Sequence, residues 1–395
     1  MDKQLEALRQ RVREFAQAEI APLADRIDRS DTVPPEVWKK IGAQKLMGMT
    51  IPKKYGGEEL SYLAHVIVTE ELSRASGTVG FSYAAHSNIC LDNLFRHGNE
   101  AQRKKYLPAL IAGDYLGALA MSEPDAGSDV VGSMSCHAEK KGNVWVANGT
   151  KRWITNGPDA GVLIVYMRTA DKQQAGSRSI TAFLVEPGMK GFTTGEKIDK
   201  LGMRGAGNCE LYFKDCEIPQ ENVLGEVNEG VSVLMAGLNS ERLLLCGGPL
   251  GIMQAAMDVV LPYAHKREQF GQPIGNFQMV QAMLADMYTR LQASRALVYS
   301  VGERFSNSDR SIGKDVAAAC LFSSQASVKV ALDAIQIMGG RGYRNDEIPG
   351  RLLRDAKIYE IGGGTNEIRR IVIARDLLKE SAPAKPSSAK PSPAK

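Results

Sequence analysis

The spacing of apolar residues changes period twice along this 395-residue chain, and that alternation constrains the fold more than any single motif. From Asp2 to about Leu116 apolar side chains recur at helical intervals, as in Leu5, Leu8, Val12, Phe15 and Ala16, with breakers at Pro34-Pro35 and Gly56-Gly57. Near residue 117 the period shortens toward two. Val144 and Val146 precede the tight-turn pair Asn148-Gly149, and Lys151 to Thr155, Val162 to Arg168, Ile180 to Glu186 and Cys209 to Phe213 follow. Helical spacing returns after Gly225 and runs to about Lys379, interrupted at 271–275, 339–342 and 362–364. The fold expected is α+β in three parts: an all-α domain at 1–116, a β domain at 117–225 and a helical bundle at 226–380. Residues 381–395 are Pro, Ala, Ser and Lys with little to bury, so a disordered tail is expected there. No repeat of solenoid length is evident, and no G-x-G-x-x-G links a strand to a helix, so a Rossmann cofactor site is not expected.

Charge narrows the function. The formal net charge of +4 falls to +1 once the tail's Lys385, Lys390 and Lys395 are set aside, too little for a nucleic-acid surface that must neutralise many phosphates. No uninterrupted apolar run approaches the roughly 18 residues of a membrane span, so a soluble protein without a membrane partner is expected. The six cysteines form no C-x-x-C pair, and no secretory leader is evident, which points to reduced thiols in a reducing compartment. The five histidines lack ligand spacing, and no metal is assigned.

Two segments carry chemistry. Ala120 to Gly132, A-M-S-E-P-D-A-G-S-D-V-V-G, is a polar loop whose Ser and backbone N–H groups suit the edge of a flat heterocycle, with Ser128 and Asp129 able to reach a ligand. By composition alone such a stretch is more often only a turn. Gln336 to Asp346, Q-I-M-G-G-R-G-Y-R-N-D, is followed by Arg351 and Asp355. In this order the two segments resemble the two signatures of the acyl-CoA dehydrogenases, without a mismatch. Trp153-Ile154-Thr155, Arg267 to Gly271, Phe277-Gln278 and Thr365-Asn366-Glu367 resemble further family segments that touch FAD. The resemblance covers about residues 1–378.

What the resemblance implies is specific. The middle domain would be a β-barrel or sandwich and the C-terminal one a four-helix bundle. FAD would meet Met121, Ser122, Gly127, Ser128, Trp153, Ile154, Thr155, Thr365, Asn366 and Glu367 of one subunit. A neighbouring subunit's FAD would meet Arg267, Gln278, Gln336, Gly339 and Gly340, and Phe270 is a further residue expected at FAD. Arg267 offers a fork suited to a pyrophosphate, and glycines 362–364 lead into a helix whose first N–H groups are free for an anion. A surface salt bridge with Glu268 or Asp258 is the other reading of Arg267.

Taking a weakly acidic α-proton requires a carboxylate in a dry pocket, where desolvation raises its pKa. Glu241 lies on the stripe Leu234, Leu238, Glu241, Leu245, Gly248 and Ile252, an acid on an apolar face. Such a residue is either a base or the partner of an Arg from another helix. Straight-chain members of the family carry the base in a Y-E-G-T-like stretch, where this chain reads Ile361-Gly362-Gly363-Gly364-Thr365. Isovaleryl-CoA dehydrogenases similarly lack that Glu and place the base where Glu241 stands. Glu360 is the competing carboxylate. Ser128, Asn239, Arg242, Tyr359, Gly362 and Gly363 are the residues expected to meet substrate. Departures from the isovaleryl pattern, at residues 203–208, Asn239-Ser240 and Gly363, suggest a roomier pocket that could take a terpenoid acyl group such as citronellyl.

The function expected is FAD-dependent conversion of a branched acyl-CoA to its trans-2-enoyl-CoA by a homotetramer, with electrons leaving to an electron-transfer flavoprotein. An acyl-CoA oxidase is the enzymatic rival, and a DNA-associated flavoprotein of the same fold the non-enzymatic one. The compartment expected is bacterial cytoplasm, or the mitochondrial matrix for a processed eukaryotic chain.

Overall fold

A computed structural model describes residues 3–171, 176, 178–307 and 312–381. Helices come first: α1 Lys3–Glu19, α2 Ala24–Ser30, α3 Pro35–Ala43, α4 Tyr62–Ala75, α5 Gly77–Ala84, α6 Asn93–His97 and α7 Glu100–Ala112, with a π-helical stretch Ala85–Asp92 running from α5 into α6. Side-chain caps set their starts. The Ser61 hydroxyl accepts from Ala64 N–H ahead of α4, and Asn99 and Gln102 form a reciprocal capping box on α7. The stripe of α1 buries Leu8, Val12 and Ala16 against α4.

The strands follow: β1 Leu116–Ala120, a short helix α8 Val130–Ser133, β2 His137–Lys141, β3 Val144–Thr155, β4 Ala160–Arg168, β5 Ile180–Val185, β6 Phe192–Lys197, β7 Asn208–Pro219 and β8 Val223–Leu224. They form one eight-stranded sheet, a path β6-β7-β3-β2-β4-β5-β8 with β1 off it, parallel to β4. One residue pair, His137 with Arg168, joins β2 to β4, so the path consists of two leaves meeting at that point. Trp145 and Phe213 from one leaf and Leu163 and Phe183 from the other share a core, with Trp145 edge-on to Phe183 at 5.5 Å. The second leaf is buried on both faces because Ile164, Tyr166 and Leu184 also pack toward Leu107 and Leu110 of α7. For that reason β4 and β5 read as apolar runs and do not alternate.

The C-terminal part holds α9 Gly230–Leu245, α10 Gly247–Lys266, a two-stranded hairpin β9 Glu268–Gln269 and β10 Gln272–Pro273, α11 Gln278–Ser306, α12 Gly313–Met338, α13 Ile348–Ala356 and α14 Asn366–Ser381. The long helices α10, α11, α12 and α14 make the bundle. The run Gly230–Lys266 is long and apolar enough to cross a membrane, yet 83% of its most apolar window is buried inside the fold, as in a core helix. Counting only unbroken apolar runs misses this segment. Glycines let α10 lie close to α4: a Cβ on Gly251 would stand 2.3 Å from the Glu70 carbonyl oxygen. Of the tail expected at 381–395, Ser381 closes α14 and the rest lies outside the described residues.

Candidate functional site

Glu241 sits on α9 facing a narrow cleft of about 10 Å³, partly open to solvent, whose other walls come from Asn88, Ile89, Asn93 and Arg96, from Leu119 at the end of β1, and from Leu234 and Gly237. Glu241 is half-buried by surface, with its carboxyl on the cleft side, and the loss of solvent around that carboxyl pushes it up to about 7, with the charge of Arg242 as the opposing influence. Among the described residues no ion pair or hydrogen bond engages that carboxylate, so it is not the partner of an Arg from another helix. Arg96 spans the cleft: its guanidinium meets Asp92 at 3.0 Å, donates to the Ala236 carbonyl at 2.8 Å and reaches the Ser240 hydroxyl at 3.4 Å. That ties the π-helical stretch to the helix carrying Glu241. The sequence reading missed this wall. Its signal was the run of Asn88, Asp92 and Asn93 inside an otherwise apolar helical stretch, and π-helical bulges favour functional sites.

The glycine turn closes the opposite side. Gly363 has φ +67° and Gly364 φ +93°, and an ideal Cβ on Gly363 would lie 4.0 Å from Glu241 Oε1. A carboxylate borne at 363 and one borne at 241 would therefore enter the same space. That same Cβ would also stand 2.8 Å from Leu245 Cδ1, so Leu245 already occupies the room that the missing side chain leaves. The extra pocket space expected from the two glycines is therefore not present at Gly363. Gly362 is in ordinary contact distance of Ile358. Arg242 is buried behind the turn and donates to the Gly363 carbonyl at 3.3 Å, and burial holds its guanidinium below the usual range. Arg369 fastens the turn from below, donating to the Tyr359 carbonyl at 2.6 Å and the Gly362 carbonyl at 3.0 Å.

Two residues expected at the substrate stand elsewhere. Tyr359 is a core side chain, edge-on to Phe81 at 5.8 Å and packed against Gly248. Asn239 turns toward Gly313 at the start of α12. Glu360 points away from the cleft and pairs with Lys357 at 2.6 Å.

A polar patch lies where β1 and β3 end together. The Arg152 N–H donates to the Ser122 carbonyl and the Ser122 hydroxyl to the Arg152 carbonyl, both at 2.9 Å, so Met121 and Ser122 are laced to the residue before Trp153. The β3–β7 register shifts between Lys151 and Ile154, and Trp153 takes φ +65° with half its surface exposed. A bulge thus swings the indole outward while Ile154 stays in the barrel core and Thr155 is half-buried. Beneath, Lys151 is fully buried, bonding Glu123 at 2.8 Å and the Met121 carbonyl at 3.1 Å. Glu123 also accepts from the backbone N–H groups of Ser135 and Cys136. Gly127 and Ser128 lie exposed on the loop beyond, whereas Asp129, expected to reach a ligand, caps α8 through Gly132 N–H. Across the cleft the first N–H groups of α14 follow the glycine turn. Thr365 caps them at Ile368, Glu367 is exposed, and the Asn366 side chain is held inside by Ser324 and Arg369.

Arg267, Phe270, Gln278, Gln336, Gly339 and Gly340 form a second, exposed patch. The hairpin tip puts Phe270 at φ +51° and 95% exposed, and nothing lies within 4 Å of where a Cβ would stand on Gly339 or Gly340. The alternative partner of Arg267, Asp258, bonds Arg74 at 2.6 Å instead. The 20-residue helix α10, about 30 Å long at 1.5 Å per residue, runs between Glu241 and Arg267.

Comparison with known proteins decides the family. Models of the acyl-CoA dehydrogenase N-terminal, middle and C-terminal domains match residues 2–114, 118–216 and 228–378. The chain belongs to the acyl-CoA dehydrogenase family. It is 57% identical over 370 residues to a mitochondrial isovaleryl-CoA dehydrogenase of Pongo abelii, covering 93% of this chain and 87% of that one. It is 53% identical to a mitochondrial 2-methylacyl-CoA dehydrogenase of Solanum tuberosum, covering 96% and 92%. A chain solved in work on the electron transferring flavoprotein of Acidaminococcus fermentans superposes with TM-score 0.92 at 35% identity, covering 96% and 99%.

As an acyl-CoA dehydrogenase the protein is an FAD-dependent oxidoreductase acting on acyl thioesters. Its residues fit that cofactor. The bulge presents an indole face, the Gly339-Gly340 turn leaves its backbone open, and the glycine turn exposes a helix N-terminus, together a set of stacking and anion-binding groups suited to a flavin and its pyrophosphate.

Proposed function

We propose that the protein oxidises isovaleryl-CoA or a similarly sized branched acyl-CoA at the Cα–Cβ bond, with Glu241 as the base. The carrying observation is the 4.0 Å between Glu241 Oε1 and the position a Cβ would occupy on Gly363. The carboxylate reaches the reaction space from α9 where a side chain at 363 is lacking. A carboxyl that titrates near 7 is sufficiently ionised at neutral pH to accept a proton, and basic enough to hold it. Bound FAD supplies the hydride acceptor. Leu119, Leu234 and Ile89 give the acyl chain an apolar lining, and Leu245, standing where Gly363 would carry a side chain, favours an isovaleryl-sized group over a terpenoid one.

Met121, Ser122, Ser128, Trp153 and Thr155 are assigned to the flavin and its pyrophosphate side, with the start of α14. The outward-facing patch of Arg267, Phe270, Gln278 and Gln336 is assigned to the FAD of a second copy, which implies at least a dimer, most simply a homotetramer. The acceptor proposed is an electron transferring flavoprotein, supported by the similarity to the Acidaminococcus chain. The compartment proposed is the bacterial cytoplasm, or the matrix if the chain is mitochondrial like its relatives.

Anaerobic flavin bleaching against isovaleryl-, 2-methylbutyryl-, butyryl-, octanoyl- and citronellyl-CoA tests the substrate. Isovaleryl-CoA is expected to bleach fastest. Butyryl- or octanoyl-CoA outrunning every branched substrate would overturn the branched reading, and rapid oxygen consumption without another acceptor would make the protein an oxidase.

A further inference from the structure

The one residue between α9 and α10 is Cys246, and its thiol meets Cys320 of α12 with the sulfurs 2.9 Å apart. Both side chains are buried, and both sulfurs lie in reach of one acceptor, the Arg242 carbonyl, at 3.2 Å from Cys246 and 3.1 Å from Cys320. The contact joins residues 74 apart in sequence, so no spacing motif announces it. The other four cysteines are also buried thiols, and among the described residues none of them makes a sulfur–sulfur hydrogen bond, although Cys136 and Cys216 share the sheet core. Arg242 follows Glu241 and holds the Gly363 carbonyl, so this pair underlies the segment that aims the proposed base. The hydrogen bond from Cys246 together with the charges of Arg369 and Arg242 draws the Cys320 thiol below its usual range, whereas burial pushes Cys246 up. One sulfur is thus disposed to attack and the other to resolve.

We propose that Cys246 and Cys320 are an oxidation site that closes to a reversible disulfide under peroxide and locks the α9–α10 junction to α12. The Cys320 thiolate attacks a peroxide oxygen, breaking the O–O bond to give a sulfenic acid and, after protonation, one water. The Cys246 sulfur then displaces hydroxide from the sulfenic sulfur as its own proton leaves, giving the S–S bond and a second water. Two electrons pass from the sulfurs to peroxide. Closing the sulfurs from 2.9 Å to the bonded separation moves them about 0.9 Å and removes both thiol donors from the Arg242 carbonyl. A displacement of that order at the helix bearing the base costs turnover, about tenfold or more. Disulfides in reducing compartments are usually of this transient kind. The cross-link does not depend on the assignment of Glu241, but its effect on turnover does.

Holoenzyme treated with hydrogen peroxide, blocked with N-ethylmaleimide in denaturant and digested tests this by mass mapping. A linked Cys246–Cys320 peptide is expected in most molecules, with Cys90, Cys136, Cys209 and Cys216 alkylated, FAD retained, turnover down at least tenfold, and both changes reversed by dithiothreitol. Cys320→Ser and Cys246→Ser are each expected to keep turnover and lose the peroxide response, so either variant suffices if the other fails to fold. Absence of the linked peptide overturns the oxidation site, and so does its appearance only after FAD has been released. A linked peptide with unchanged turnover in protein whose Glu241→Gln variant is inactive overturns the lock, and the same result with an active Glu241→Gln variant points to the base assignment instead.

Discussion

Replacing Glu241 by Gln is expected to stabilise the protein while inactivating it, and the stability gain carries a pH signature. The folded carboxyl titrates near 7, well above the ordinary 4.5 of an unfolded glutamate, because burial disfavours its charge. Below pH 4.5 both states are protonated and the group costs nothing. Between 4.5 and 7 the unfolded chain gives up its proton first, so stability falls as pH rises, and above 7 the loss is constant. At about 1.4 kcal/mol per pKa unit the full penalty is roughly 3 kcal/mol, less to the extent that the cleft admits water. Gln keeps the shape without the charge. Thermal denaturation from pH 5 to pH 9 should therefore show the variant gaining on the unaltered protein, by about 3–6 °C at the alkaline end. A pH-independent difference, or a variant less stable at pH 9, would refute the burial of an unpaired carboxylate at 241.

Other outcomes follow from the same geometry. The kcat/KM for isovaleryl-CoA should fall about tenfold per pH unit below pH 7, as Glu241 of the free enzyme protonates, which a rate profile from pH 5.5 to 8.5 checks. Lys151→Met should cost about 3–5 kcal/mol in denaturant unfolding, since it strands the buried Glu123 carboxylate beneath the Met121-Ser122 turn. Arg267→Ala should weaken FAD retention on dilution while leaving urea unfolding of the flavin-free chain within about 0.5 kcal/mol, because the side chain is exposed. Moving the base by Glu241→Gly with Gly363→Glu should recover activity only when Leu245→Ala is added, because Leu245 fills the 363 space; recovery in the double variant alone would show that Leu245 yields.

The part of the fold that rests on local periodicity was open to reading from the sequence. The switch from the α1 stripe to the alternation around Val144 and back marks where helices give way to strands, and turn chemistry at Asn148-Gly149 reinforces it. Glu241 was legible because a carboxylate on an apolar stripe has few structural explanations. The cleft's opposite wall was not, since a π-helical stretch looks in sequence like the α-helices around it. Tyr359 shows the limit of position along the chain: it lies four residues from Gly363, yet the helical turn at Lys357–Glu360 points its ring into the core against Phe81. Room at Gly363 could not be judged from two glycines, because Leu245, from a helix more than a hundred residues earlier, enters the space. The Cys246–Cys320 contact was invisible for the same reason, being a product of packing between α12 and the α9–α10 junction.

The most direct measurement of the base is single-turnover flavin reduction by isovaleryl-CoA under anaerobic conditions in the unaltered enzyme, Glu241→Gln and Glu360→Gln, each with FAD bound. Glu241→Gln should slow the step by about two to four powers of ten, the range for a lost general base. Glu360→Gln, whose parent carboxylate is paired with Lys357 outside the cleft, should stay within about threefold of the unaltered enzyme. Near-normal reduction in Glu241→Gln alongside a yellow, unreactive Glu360→Gln would place the base at Glu360 and contradict the assignment of Glu241.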